Sequence, residues 1–189
     1  MQITNRKSLA YTSKTPGKTQ QFNYFAVNDK PELGREIRFG DEVDGEKDKD
    51  SFYIVDLPGF GYAKVSAEQK QEWKEFMAEY FSARKTLRVL FHLVDARHGP
   101  TEDDKSIMQQ VSETLPRQVS YIVVLTKADK NTKGKTKKNA GKVSDDVMRK
   151  VRDTMKEAGV GNRPVLLTSS ESKLGRDQVW RYLSLAAQR

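Results

Sequence analysis

The chain has 189 residues, with 34 Lys+Arg against 26 Asp+Glu and a formal net charge of +8. It contains no cysteine, which excludes a disulfide framework, a thiolate metal site and a cysteine nucleophile. Hydrophobic residues make up 36% and charged residues 32%, but the apolar ones fall in blocks, which suits one domain of ordinary size rather than a disordered chain. No apolar run approaches the ~20 residues that a membrane span needs. The opening Met1-Gln2-Ile3-Thr4-Asn5-Arg6-Lys7 lacks the apolar stretch of a secretory signal. The expectation is a soluble, intracellular-type domain whose excess positive charge favours anionic partners such as RNA.

Taken in chain order, short β-rich runs alternate with helical patterns. Residues 21–27 alternate polar and apolar, like a half-buried strand. The runs at 52–55, 87–94, 121–125 and 165–167 are denser, as strands buried on both faces should be. Ser66 suits the N-cap of a helix over 67–83, with Trp73, Phe76, Met77, Tyr80 and Phe81 at helical spacing. That aromatic stripe reads as core rather than as a base-stacking platform, and Trp180 and Tyr182 read the same way. Further helices are predicted over 102–115, ending before Pro116, over 143–158, ending at Gly159, and over 175–187. Strands alternating with helices predict an α/β fold with a mainly parallel sheet covered on both faces.

Two segments stand outside this pattern. Residues 40–50 carry six acids and two lysines and no packable face, an exposed acidic loop between the first two strands. Residues 130–142 hold six lysines and no acid, which fits either a solvated loop or an RNA-contacting patch.

In an α/β sheet, ligand chemistry gathers at the carboxyl ends of the strands. Three motifs sit there, each directly after an apolar run: Asp56-Leu57-Pro58-Gly59, Thr126-Lys127-Ala128-Asp129 and Thr168-Ser169-Ser170. Together they suit a guanine nucleotide. A carboxylate at Asp129 can accept from both N1–H and the exocyclic amine of guanine, a donor pair that adenine lacks. The Lys127 stem can lie over the base while its ammonium stays wet. Backbone N–H groups around Ser169 and Ser170 are placed to reach the guanine carbonyl. Asp56 can orient Mg²⁺ through water, and Gly59 lets a backbone N–H approach a terminal phosphate.

Over nearly its whole length the chain resembles the EngB (YihA/YsxC) family, among the TrmE-Era-EngA-EngB-Septin-like GTPases that share the P-loop-NTPase three-layer sandwich. Residues 5–10 with Thr12-Ser13-Lys14-Thr15-Pro16-Gly17-Lys18-Thr19-Gln20 are similar to that family's first switch. Residues 56–65 are similar to its second switch, and Asp95-Ala96-Arg97-His98 with Asp103-Asp104 also match. The resemblance implies a single EngB-type G domain over 1–189 that binds GTP or GDP with Mg²⁺ and hydrolyses GTP slowly. It further implies a monomer, away from membranes, that assists assembly of the large ribosomal subunit by contacting its precursor and rRNA. Thr19 would supply a hydroxyl to Mg²⁺, and Gly17, Lys18, Thr19, Gln20 and Gln21 would close over the γ-phosphate. Phe60 stands where Ras-like enzymes carry a water-orienting Gln, so hydrolysis would be completed by another element, such as K⁺ or the ribosome.

The family pattern opens with a strand and a GxxxxGK[ST] phosphate loop, and no such stretch occurs in these residues. Gly17-Lys18-Thr19 has Thr12 where the first glycine belongs, and Gly141-Lys142-Val143 has Thr136 there and no hydroxyl after the lysine. The expectation is a longer protein, with the absent strand lying mid-sheet between the strands that end at Asp56 and Asp95. Any targeting peptide would lie ahead of that strand. The acidic insertion hints at a eukaryotic organelle form, placed in a mitochondrion or plastid, whereas a bacterial form would be cytoplasmic. Two other readings compete. One is a non-hydrolysing RNA- or ribosome-binding remnant. The other is an acid–base hydrolase using His98 with Asp95 or Asp103; His98 is a weak candidate catalytic base, and His92 reads as packing.

Overall fold

The run Tyr121–Leu125 is apolar at every position, so it can be satisfied only by cover on both faces. It forms the centre of the computed structural model, which describes residues 23–27, 52–57, 66–130 and 143–188. In chain order the elements are β1 (Asn23–Val27), β2 (Phe52–Asp56), α1 (Ala67–Ala83), β3 (Val89–Asp95), α2 (Glu102–Thr114), β4 (Ser120–Thr126), α3 (Asp145–Glu157), β5 (Val165–Leu167) and α4 (Arg176–Ala187). Strands β3, β4 and β5 make a parallel sheet in that order, with Asp95 opposite Thr126 and Leu125 opposite Leu167 at the carboxyl ends.

Alternate β4 residues face two cores. Tyr121, Val123 and Leu125 pack with Met77 and Phe81 of α1, Met108 and Val111 of α2, and Val151 and Met155 of α3. Ile122 and Val124 pack with Leu166 and with Val179 and Leu183 of α4. The α/β class and the three-layer arrangement predicted from the sequence are therefore present.

Strands β1 and β2 form a separate antiparallel ribbon, with Asn23 opposite Asp56 and Val27 opposite Phe52. Among the described residues β2 and β3 do not pair, so the sheet is divided where the absent strand was expected. The ribbon stays attached through Phe52 and Ile54, which pack beside Val89 and Phe91 against the second core. This division corrects the expectation that the third strand is buried on both faces. Leu93 is 64% exposed, because the cover supplied by Phe52 and Ile54 stops short of it. Phe76 also departs from the predicted core stripe: it is exposed, while Trp73 and Tyr80 pack on the core and Phe81 is buried. The helix turns Phe76 away from the side that Met77 and Phe81 share.

Helix ends follow local chemistry. Helix α1 spans the predicted 67–83. Helix α3 starts two residues later than predicted, because the Ser144 hydroxyl caps the Val147 N–H and leaves Val143 outside. Helix α2 stops at Thr114, with Leu115 extended as the residue before a proline prefers. The residues 40–50 and 131–142 lie outside the described residues, so the acidic loop and most of the lysine-rich loop do too.

Helix α2 opens with a capping box in which Thr101 Oγ1 accepts from the Asp104 N–H and Asp104 Oδ2 accepts from the Thr101 N–H. Asp104 has a second task. Its Oδ1 lies 3.0 Å from Nε2 of buried His92, whose Nδ1 lies 2.7 Å from the Tyr121 hydroxyl. A carboxylate only accepts, so Nε2 carries the proton. Burial pushes the Asp104 carboxyl up, but hydrogen bonds from His92 and Thr101 outweigh it and leave it below the ordinary 3.8. A lowered carboxyl stabilises the fold above its unfolded value, and that contribution disappears as pH falls through the folded value. Asp104→Ala should cost about 2–3 kcal/mol near neutrality, since it leaves the His92 and Thr101 donors unpaired. In denaturant melts, the gap between wild type and variant should narrow below pH 3.8; a gap of constant width would refute the assignment.

Candidate guanine-nucleotide site

The carboxyl ends of β4 and β5 are joined by backbone bonds. The Thr168 N–H donates to Leu125 O at 2.8 Å, and the Ala128 N–H donates to Thr168 O at 3.0 Å. Lys130 Nζ meets Glu171 Oε1 at 3.0 Å across the same seam. Two of the three predicted motifs, Thr126–Asp129 and Thr168–Ser170, thus belong to one site.

Within it the residues divide into framework and free chemistry. Thr126 donates its hydroxyl to Val94 O at 3.2 Å, so it ties β4 to β3. Ala128 is fully buried. Asp129 sits in a short 3-10 turn, Ala128–Lys130, half-buried, and its carboxylate has no hydrogen bond or ion pair among the described residues. Lys127 leaves the strand with φ +57°, a left-handed conformation unusual for a lysine. Its ammonium reaches back 2.9 Å to Asp95 Oδ2.

The second loop corrects one expectation. The Ser169 N–H donates to Leu174 O at 3.1 Å, so it cannot also meet a guanine carbonyl. Buried Ser169 acts as a loop brace, its Oγ accepting from the Glu171 and Ser172 N–H groups. The N–H of exposed Ser170 has no partner among the described residues and is the donor left for a ligand.

Of the third motif only Asp56 and Leu57 fall among the described residues. Asp56 is exposed at the end of the ribbon, and Leu57 packs on the first core. Pro58, Gly59, Gly17, Lys18, Thr19, Gln20 and Gln21 lie outside the described residues. Among the described residues no cluster of three acids or histidines could hold a metal. The hydrolase reading loses its dyad: Asp95 is taken by Arg97 and Lys127, Asp103 by Lys70 at 3.0 Å, and His98 is exposed in a turn.

Residue-by-residue comparison adds a name. The 50S ribosome-binding GTPase family matches residues 1–127. The probable GTP-binding protein EngB of Geobacillus kaustophilus is 36% identical over 181 residues, spanning 96% of this chain and 75% of that protein. This chain belongs to the EngB family. The EngB proteins of Geobacillus thermodenitrificans, 36% identical over 96% of the chain and 75% of that protein, and of Symbiobacterium thermophilum, 34% identical over 96% and 77%, agree.

Two residues of this EngB site escaped the sequence reading. In the sequence Asp95 reads as a strand end, part of a matching stretch and a carboxylate for His98 in the hydrolase reading, never as a partner of Lys127. Gly175 was seen only as a helix start, although its φ of +72° and its position directly against β5 shape the second loop. A Cβ there would lie 2.1 Å from Leu167 O, the carbonyl just before Thr168. Gly175→Ala should therefore push the 168–170 loop off β4, lowering stability by about 2 kcal/mol or more and weakening any ligand held by Ser170. A thermal melt and a crystal structure of the variant check this; an unmoved loop would contradict it.

Proposed function

We propose that this chain binds guanine nucleotide at the joined ends of β4 and β5, as the recognition half of a slow GTPase that assists assembly of the large ribosomal subunit. The observation that carries the reading is the Asp129 carboxylate, which has no hydrogen bond or ion pair among the described residues and sits in the turn whose Ala128 N–H is bonded to Thr168 O at the root of the Ser170 loop. Guanine supplies two donors in one plane for this carboxylate, while its carbonyl oxygen can accept from Ser170. Adenine presents no matching pair and would leave the carboxylate uncompensated.

Magnesium fits the donor chemistry at Asp56, since that ion keeps several waters and takes one or two carboxylates plus phosphate oxygens. Asp56 would hold it through water and Thr19 through its hydroxyl. A monovalent cation such as K⁺ or the ribosome would complete hydrolysis, given Phe60 at the water-orienting position. The charge of +8 favours contact with rRNA.

Titration of the folded chain with fluorescent GDP, with and without Mg²⁺ and with ATP as competitor, tests the reading. Saturable, ATP-resistant binding is expected to accompany a functional base site. A folded chain that binds salt-sensitively to RNA but not to GDP would replace the proposal with the RNA-binding alternative. Asp129→Asn should weaken GTP binding by about 10²-fold and strengthen XTP binding, because the amide donates where guanine also donates and xanthine accepts. Equal preference in wild type and variant would remove Asp129 from base recognition.

A further inference from the structure

Asp95 ends β3 and pairs in register with Thr126, one residue before Lys127. Its carboxylate is only 12% exposed, at a sheet end where the side chains of Lys127 and Arg97 are 45% and 41% exposed. Its two oxygens do different work. Oδ1 accepts from the Arg97 backbone N–H at 3.0 Å and from Arg97 Nε at 2.9 Å, which locks the turn after β3. Oδ2 accepts from Arg97 Nη2 at 2.7 Å and from Lys127 Nζ at 2.9 Å. The local turn accounts for the first oxygen. It does not account for a contact that crosses from one strand end to the next.

Lys127 needs such a contact. Its left-handed backbone is held by the turn bond from the Lys130 N–H to Lys127 O, but a flexible four-carbon stem would still sweep many rotamers. Tethered at Nζ, the stem spans from the end of β4 to the end of β3 as a bar across the top of the sheet. The geometry points to Asp95 as a positioning residue that fixes the Lys127 stem in the plane-covering conformation a bound guanine base requires. Arg97 holds Asp95 in turn and, with burial opposing, keeps its carboxyl well below the usual carboxylate range. With four donors already on its oxygens, Asp95 is taken up within the protein rather than offered to a ligand.

This inference rests on the guanine-nucleotide reading, and a double-mutant cycle separates the two. Fluorescent GDP affinity is measured for wild type, Asp95→Asn, Lys127→Ala and the double variant, beside thermal melts. Asp95→Ser, which retains an acceptor for the turn, guards against a folding defect. The lysine ammonium ¹H–¹⁵N correlation of the nucleotide-free protein reports the tether directly. Both Asp95 variants should weaken GDP binding about three- to tenfold and lose the Lys127 ammonium signal, while Asp95→Asn costs nothing further once Lys127 is alanine. An equal cost with and without Lys127 would assign Asp95 to the turn alone and overturn the proposal. So would GDP binding unchanged in Asp95→Asn. A folded wild type that binds no GDP would instead overturn the nucleotide reading, and this proposal with it.

Discussion

Burial of β4 on both faces is the constraint on which the rest depends. Five consecutive residues, Tyr121 to Leu125, are each at most 4% exposed. Each such side chain gains about 1.5–3 kcal/mol only if something apolar covers it. Two faces therefore demand two layers of helix: α1, α2 and α3 on one side, α4 on the other. Polar chemistry is excluded from the strand itself and displaced to its carboxyl end. The apolar run is thus the reason the candidate site residues begin abruptly at Thr126.

The same burial makes the site rigid. Leu125 O and Thr168 O, at the ends of buried strands, take the N–H groups of Thr168 and Ala128, so the two loops share one hydrogen-bonded root. Gly175 lets the start of α4 press against that root at a distance no side chain would tolerate. What remains outside the framework is short: the Asp129 carboxylate, the Lys127 stem and the Ser170 N–H. A site in which most polar groups are already satisfied, and a few are not, selects its ligand by those few.

Much of this was legible in the sequence because it follows from periodicity and from strand ends. The dense run at 121–125, the stripe placing Met77 and Phe81 on one face of α1, and the two motifs after β4 and β5 all stand where the pattern puts them. The misses have physical causes. Leu93 reads as buried because strand patterns record side-chain type, whereas exposure depends on which neighbour lies across the sheet. Phe76 reads as core because aromatic spacing alone does not settle which residues share a helix face. Ser169 reads as a donor because the sequence does not reveal that Leu174, five residues on, takes its N–H. Asp95 is invisible as a partner of Lys127 since 32 residues separate them and only the parallel register brings them together.

The two halves of the proposed nucleotide site differ in how they are anchored. The base half is rooted in a strand with both faces packed, and its loops are cross-bonded at the backbone. Asp56, the described member of the proposed phosphate half, rides on a two-stranded ribbon that joins the second core through Phe52 and Ile54, with Leu57 on the first core. A two-stranded ribbon is marginal by itself and draws its stability from what it packs on. Specificity for a base requires fixed geometry, because a misplaced carboxylate forfeits both hydrogen bonds at once. Sensing a terminal phosphate requires the opposite, an element whose position costs little to change. Under the proposed function, Asp129 in the turn rooted on the buried strand and Asp56 on the ribbon would assign each requirement to the part of the fold that can meet it.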